Sequence, residues 1–192
     1  MSDEWGVRFS EHMGGFFSEG IEDPKTGFSQ GKVGGHPIDF WVTIHVSPLK
    51  KFFKNVEHPA LMEGKVSAGP LGSKLAMRGG EFNMYPGEEG SGLRHISYRF
   101  GFDSDAGEPF YFSGVKNIHV NKKQGSSADN VTLYSKLYRG DSEEGEFHGA
   151  GVLLFHLLKD GPQLATSLRV TGANSFGEKL RALRLFVSAS SA

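Results

Sequence analysis

The chain has 192 residues, is 38% hydrophobic and carries a net charge of -1, from 21 Lys plus Arg against 22 Asp plus Glu. That length supports one domain with a sizeable core, and the balanced charge lacks the positive excess that nucleic acid or an anionic membrane demands. With no cysteine, disulfides, thiolate nucleophiles and sulfur-ligated zinc are excluded together.

The acidic, polar start MSDEWGVRFSEHM is unlike the basic-then-apolar order of a secretory leader, and no apolar run approaches the ~18 residues of a membrane span. A cytoplasmic protein without a transmembrane segment is the expectation. Glycine is abundant at 27 residues, and 16 Phe with 5 Tyr dominate the aromatics. An antiparallel β-protein needs both, glycines for its turns and flat side chains for half-buried pleats.

In chain order, Val7 to Phe17 reads as a first strand, with Val7, Phe9 and Met13 on one face and Arg8, Ser10 and His12 on the other, bent or bulged at Gly14-Gly15. Ile21 to Gly35, with Pro24, Gly27, Gly31 and a glycine pair, reads as turns around a weak strand near Phe28. Ile38, Phe40, Val42, Ile44 and Val46 hold strict period two and form the clearest strand. Ser47-Pro48 reads as an N-cap with proline at the first helical position. Leu49, Phe52, Phe53 and Val56 then give a short helix near 48–57, ended by His58-Pro59.

Gly64 to Tyr85 reads as a meander with a corner at Ala68-Gly69-Pro70 and a hairpin turn at Arg78-Gly79-Gly80. Pro86 to Gly92 is a charged glycine loop. Arg94 to Phe102 is a strand with Ile96, Tyr98, Phe100 and Phe102 on one face and His95, Ser97 and Arg99 on the other. The turn Asp103 to Gly107 makes Phe110 to Val120 its antiparallel partner, and Lys122 to Asn130 is a polar loop.

Val131 to Tyr138 and Phe147 to Leu158 read as strands joined by the acidic turn Gly140 to Gly145. Gly151 to Leu158 is apolar on both faces, so its second face needs a helix or an interface. Gly161-Pro162 breaks the chain, and Gln163 to Thr171 fits helix or strand. Ser175-Phe176-Gly177-Glu178 is a capping box that opens a C-terminal helix near 176–188. Its stripe Phe176, Leu180, Leu183 and Val187 is expected to pack on the strand at Val152 to Leu158. No linker or repeat divides the chain, so residues 1–192 form a single, mainly β domain, an antiparallel barrel or a curved sandwich.

The eight histidines form no H-E-x-x-H or H-x-H, so no metal site is expected. Neither a P-loop nor a strand followed by G-x-G-x-x-G occurs, and no cofactor is expected; Ser18, Ser113 and Ser135 lack a G-x-S-x-G elbow. For acid–base chemistry, His95, Arg99, Lys116, Tyr134 and Lys136 lie on expected strands and could converge, against the plainer reading of a solvated sheet face. Lys116 stands out, because a lysine buried inside a strand needs a partner. The aromatic surplus either fills a solid core or walls a cavity for a sterol, fatty acid or similar lipid, which Tyr98, Phe100, Phe112, Lys116 and Tyr134 would line.

Several pieces together carry a resemblance. These are Phe9-Ser10-Glu11-His12-Met13-Gly14-Gly15-Phe16, Asp39 to Ile44, His58-Pro59-Ala60, and Met77 with Gly79-Gly80-Glu81-Phe82-Asn83-Met84. Ser113-Gly114-Val115-Lys116, Asp129 with Thr132-Leu133-Tyr134, Gly149 to Leu153 and Arg169 to Ser175 continue them across nearly the whole chain. The chain resembles an uncharacterised bacterial β-rich domain found alone or attached to cholesterol-oxidase-like flavoproteins of the glucose-methanol-choline group and to some α/β-hydrolase-type proteins. The resemblance implies a setting near lipid or sterol oxidation and no catalytic residues. This chain has no flavin-binding or hydrolase portion.

The function expected from sequence is an accessory or carrier domain for a hydrophobic small molecule. One alternative is a small barrel enzyme, an isomerase, cyclase or hydrolase, with His, Tyr and Lys at a cavity wall. Another is an interaction module docking on an oxidoreductase partner. Converging titratable groups would favour the enzyme, an apolar lining the carrier, and a filled core with an exposed apolar patch the module. Oligomeric state is left open.

Overall fold

The computed structural model describes residues 4–55, 57–86, 93–119 and 131–191. Eight strands follow one another around a barrel: β1 (Gly6–Glu19), β2 (Pro37–Val46), β3 (Ala60–Ala68), β4 (Leu75–Pro86), β5 (Leu93–Asp103), β6 (Pro109–His119), β7 (Thr132–Arg139) and β8 (Glu146–Leu154). Each pairs antiparallel with the next, and β1 pairs with both β2 and β8, so the sheet closes on itself. Closure removes the unpaired edges an open sheet would expose.

Closure is complete at one end only. β1 pairs with β8 through Gly14–Glu19, and a ninth strand, β9 (Arg169–Thr171), pairs with its start at Gly6–Arg8. Between these ladders, residues 9–13 have no strand on that side among the described residues. Helix α3 (Leu157–Ser167) fills the gap, where the Ser10 amide donates to Ser167 Oγ at 2.8 Å. α2 (Leu49–Lys54) buries Leu49 and Phe52 at the same end, and α4 (Phe176–Ser191) lies against β1, β9 and α2.

The opposite half is solid. Phe100 and Phe112 stack at 4.6 Å and 11°, Phe40 meets both edge-on, and Phe102 stacks on Phe110 at 5.7 Å. Each of these rings is fully buried. The aromatic surplus therefore fills one half of the barrel, with the offset and edge geometries that ring quadrupoles favour.

Several local expectations are corrected. Ile21 to Gly35 contains not a weak strand but helix α1 (Pro24–Gly34). Asp23 caps it by accepting the Thr26 amide at 2.8 Å, and Pro24 occupies the first turn, where its missing donor costs nothing. Gly27 and Gly31 are contact points rather than turns. A Cβ on either would stand 2.0 Å from the Ala150 carbonyl oxygen or 2.1 Å from that of Phe17, so the helix lies directly on the strand backbones. Thus α1, not the C-terminal helix, covers the doubly apolar strand.

That strand ends at Leu154, earlier than expected, and α3 runs through Gly161-Pro162. Proline keeps a helix-compatible φ there at the cost of one backbone donor. Gln163 to Thr171 is partly helix, to Ser167, and partly strand, from Arg169. Arg78-Gly79-Gly80 is not a hairpin turn, because β4 is one continuous strand with a register shift between Arg78 and Glu81. Gly79, at φ 56°, provides the left-handed residue of that bulge, which bends the strand instead of reversing it. Pro48, in extended conformation, holds the N-cap of α2 without a side-chain cap, so Ser47 is not its cap.

The capping box at α4 is formed as read: the Glu178 amide donates to Ser175 Oγ at 3.2 Å, and Glu178 Oε2 accepts the Asn174 and Ser175 amides. Its buried face is rotated from the expected stripe. Phe176 is 82% exposed and Leu180 points outward too, whereas Ala182 is buried with Leu185 and Phe186 beside it. The expected loops at 87–92 and Lys122 to Asn130, together with Val56, Val120 and the Val187 side chain, lie outside the described residues.

Candidate functional site

At the α3 end, the inner faces of β1, β5 and β6 bring three polar side chains together. Alternation along β1 turns Val7, Phe9, Glu11 and Met13 inward, opposite Val46, Ile44, Val42 and Phe40 of β2. On β5 and β6 the register sets Ile96 opposite Lys116 and Tyr98 opposite Gly114, so Tyr98 and Lys116 share the barrel interior. A Cβ at Gly114 would stand 2.9 Å from the Phe112 ring and 3.1 Å from the Leu133 side chain, so glycine there leaves room for those two core side chains.

Lys116 Nζ donates to Glu11 Oε1 at 2.9 Å, and Tyr98 OH donates to Glu11 Oε2 at 2.7 Å. Lys116 Nζ also lies 3.4 Å from Tyr98 OH and sits over the Tyr98 and Phe155 rings at 5.3 and 5.8 Å. All three side chains are buried. Charge is balanced, one cation against one carboxylate, as burial requires. Burial chiefly, then the charge of Glu11 and the hydrogen bond to it, raises the Tyr98 phenol well above its ordinary range, so it stays protonated and acts as a donor.

Outward from this cluster opens a pocket of about 440 Å³. Phe9, Phe82, Met84 and Ile96 form its barrel side, and Leu164 and Phe186 from α3 and α4 cover it. It is mostly apolar with its polar groups gathered at the floor, and its volume falls in the range of about 300–1,000 Å³ typical of small-molecule sites. Arg94, two residues before Ile96 on the same strand, sits toward the rim with its guanidinium 3.7 Å from Met84 Sδ.

Of the residues singled out from sequence, only Tyr98 and Lys116 meet here. Phe100 and Phe112 lie deeper, in the packed half, and do not line this pocket. His95 pairs with Asn117 Oδ1 at 2.8 Å and Arg99 Nε with Glu143 Oε1 at 3.0 Å, both on the outer face. Tyr134 is also on the outside, with Lys25 of α1 over its ring at 5.8 Å, and Lys136 is exposed. Glu11 was missed. Its signal was parity, since period two puts an acidic residue on the same face as Phe9 and Met13.

The outer face of β1 carries a second polar arrangement. His12 Nδ1 pairs with Asp160 Oδ1 at 3.1 Å, both buried, and its ring stacks on Trp41 at 4.0 Å. Asp160 Oδ2 accepts the His156 amide at 2.9 Å, so one carboxylate both caps α3 and ties it to β1. These contacts fix the helix that roofs the inner pocket. Among the described residues no group of three His, Asp or Glu side chains could hold a metal ion, and no described helix is long and apolar enough to cross a membrane.

Comparison of the chain with family models, with curated proteins and with solved structures gives no match.

Proposed function

We propose that this chain is an accessory or carrier domain that holds a hydrophobic small molecule at the α3 end of its barrel. The observation that carries the reading is the apolar pocket ending on the Glu11, Tyr98 and Lys116 cluster. Apolar walls supply affinity, and the few polar groups at the floor orient one end of the ligand. A sterol or acyl lipid fits this description, and the resemblance to domains attached to cholesterol-oxidase-like flavoproteins supports an oxidoreductase as the partner that makes or uses the cargo. Among the described residues the exposed large apolar side chains, Val33, Trp41, Leu61, Val115, Phe176 and Leu180, are spread over five elements, with only Phe176 and Leu180 sharing one, which gives a docking module less support.

Native mass spectrometry of the purified protein, beside solvent extraction and lipid analysis, tests the proposal. A sterol or acyl compound near one per chain is the expected result. A chain that is empty and cannot be saturated by a lipid panel contradicts it.

A second reading, an acid–base enzyme, is favoured by the convergence of three titratable groups at one pocket. Against it, each Glu11 oxygen already accepts a hydrogen bond and the phenol is held protonated, so the cluster's capacity for proton transfer is engaged internally. Turnover of an extracted ligand that Glu11→Gln and Tyr98→Phe abolish, with binding retained, would decide for the enzyme.

A further inference from the structure

The charge balance of the pocket floor narrows the ligand. Resting on the carrier reading above, we infer that the cargo is an uncharged lipid bearing an acceptor oxygen, such as an alcohol, ketone or ester, and that its free carboxylate or sulfate counterpart is selected against.

Both Glu11 oxygens already accept from within the cluster, Oε1 from Lys116 and Oε2 from Tyr98. The Tyr98 proton is committed to Glu11 as well. Lys116 is different. An ammonium has three donors, and among the described residues two have acceptors, Glu11 Oε1 at 2.9 Å and Tyr98 OH at 3.4 Å. The remaining N–H lies in a pocket otherwise walled by Phe9, Phe82, Met84, Ile96 and Leu164, where an unmade hydrogen bond to a charged donor is costly. A ligand oxygen that accepts it completes the cluster, which sets the polar end of the ligand inward and its apolar body outward under α3 and α4.

An anionic head fits that position poorly. It would stand beside the Glu11 carboxylate and share with it a single buried cation, leaving one net negative charge in apolar surroundings. Among the described residues, the titratable groups facing the pocket are Glu11 from β1, Tyr98 from β5 and Lys116 from β6, and the lining from β4, α3 and α4 is uncharged. Arg94, toward the rim, is the further cation on the inner face of β5, beyond the floor where the spare donor lies.

The test is direct binding, by calorimetry at pH 8, of two matched pairs: dodecanol against dodecanoate, and pregnenolone against pregnenolone sulfate. The wild-type chain is expected to bind the neutral member of at least one pair at least about tenfold more tightly, the equivalent of one pKa unit against the second anion. Glu11→Gln keeps the shape but frees the Lys116 charge, so the gap closes by about tenfold or reverses. In the Glu11→Gln, Lys116→Met double variant, which retains neither buried charge, the neutral member loses about tenfold with its donor. Anions that bind the wild type as tightly as their neutral partners overturn the inference, as does a gap unchanged in Glu11→Gln. Failure of all four probes overturns the pocket itself, a separate outcome.

Discussion

Glu11 and Lys116 are each other's only charge partner in the described interior, which makes their removal singly and together the most revealing perturbation. Both side chains are more than nine-tenths buried and their charged atoms are 2.9 Å apart. Glu11→Leu leaves a buried ammonium with the Tyr98 hydroxyl alone, and Lys116→Met leaves a buried carboxylate with one neutral donor. Breaking a buried pair from one side costs about 3–5 kcal/mol, because the surviving charge is uncompensated. For a chain of this length each kcal/mol lowers Tm by about 2–4 °C, so each single variant should melt roughly 6–20 °C below the wild type. The double variant removes both desolvation costs and should fall within about 1 kcal/mol of the wild type or exceed it. Urea denaturation followed by circular dichroism at pH 7, with thermal melts beside it, measures the cycle. Single variants that cost under about 1 kcal/mol, as solvated pairs do, would refute the account. So would a double variant that costs the sum of the singles.

Three further outcomes follow from the same structure. Tyr98→Phe keeps the ring but deletes a hydrogen bond to a charged group, so it should cost about 1.5–3 kcal/mol, and it should remove from an ultraviolet pH titration a tyrosine that ionises well above the ordinary range. Gly27→Ala and Gly31→Ala force a methyl group against strand carbonyls and should each destabilise by about 1–3 kcal/mol in denaturant melts. Gly34→Ala in the same helix meets only the His36 ring at 3.5 Å and should be neutral or mildly stabilising; equal losses at all three would mean that α1 does not lie on the strands. Burial holds the His148 imidazole below its usual value, against an opposing pull from Glu19 at 3.5 Å, with a smaller downward push from Arg139. The unfolded chain therefore binds this proton first. The neutral ring's contribution is full above about pH 6.5, the ordinary histidine value, and is lost as pH falls from there towards the lower folded value. Melts between pH 8 and 5 should show a steeper acid loss in the wild type than in His148→Gln, and parallel curves would contradict it.

The strands were legible where one face is buried and period two survives, as in Ile38 to Val46 and Ile96 to Phe102. The choice between barrel and sandwich was not, because closure depends on β1 pairing with β8 some 130 residues away in sequence, which no local pattern encodes. Helix α1 was hidden by its own packing residues: Gly27 and Gly31 look like turns in sequence, and only their approach to backbone oxygens gives them another use. On α4 the cap was readable from Ser175 and Glu178, but the buried face was not, since the small Ala182 sits closest to the barrel while larger Phe176 and Leu180 remain outside.

The site was half legible for a similar reason. A lysine inside a strand announces a buried partner, and Lys116 has one. Parity already separated His95 and Arg99 from Tyr98, because residues an odd number of positions apart on one strand face opposite sides. The same alternation carried along β1 would have set Glu11 inside, whereas its contact with Lys116, 105 positions along the chain, is a product of barrel closure that no local pattern shows.

The central claim, that the pocket beneath α3 holds a lipid, is tested most directly by filling it. Leu164, half-buried on α3, lines the pocket, and Leu164→Trp would occupy the space with a larger side chain. Native mass spectrometry of the wild type and this variant, each saturated with the same lipid panel, measures occupancy per chain. The account predicts one ligand per wild-type chain and none on a folded variant. Equal occupancy of both would place the ligand elsewhere and contradict it.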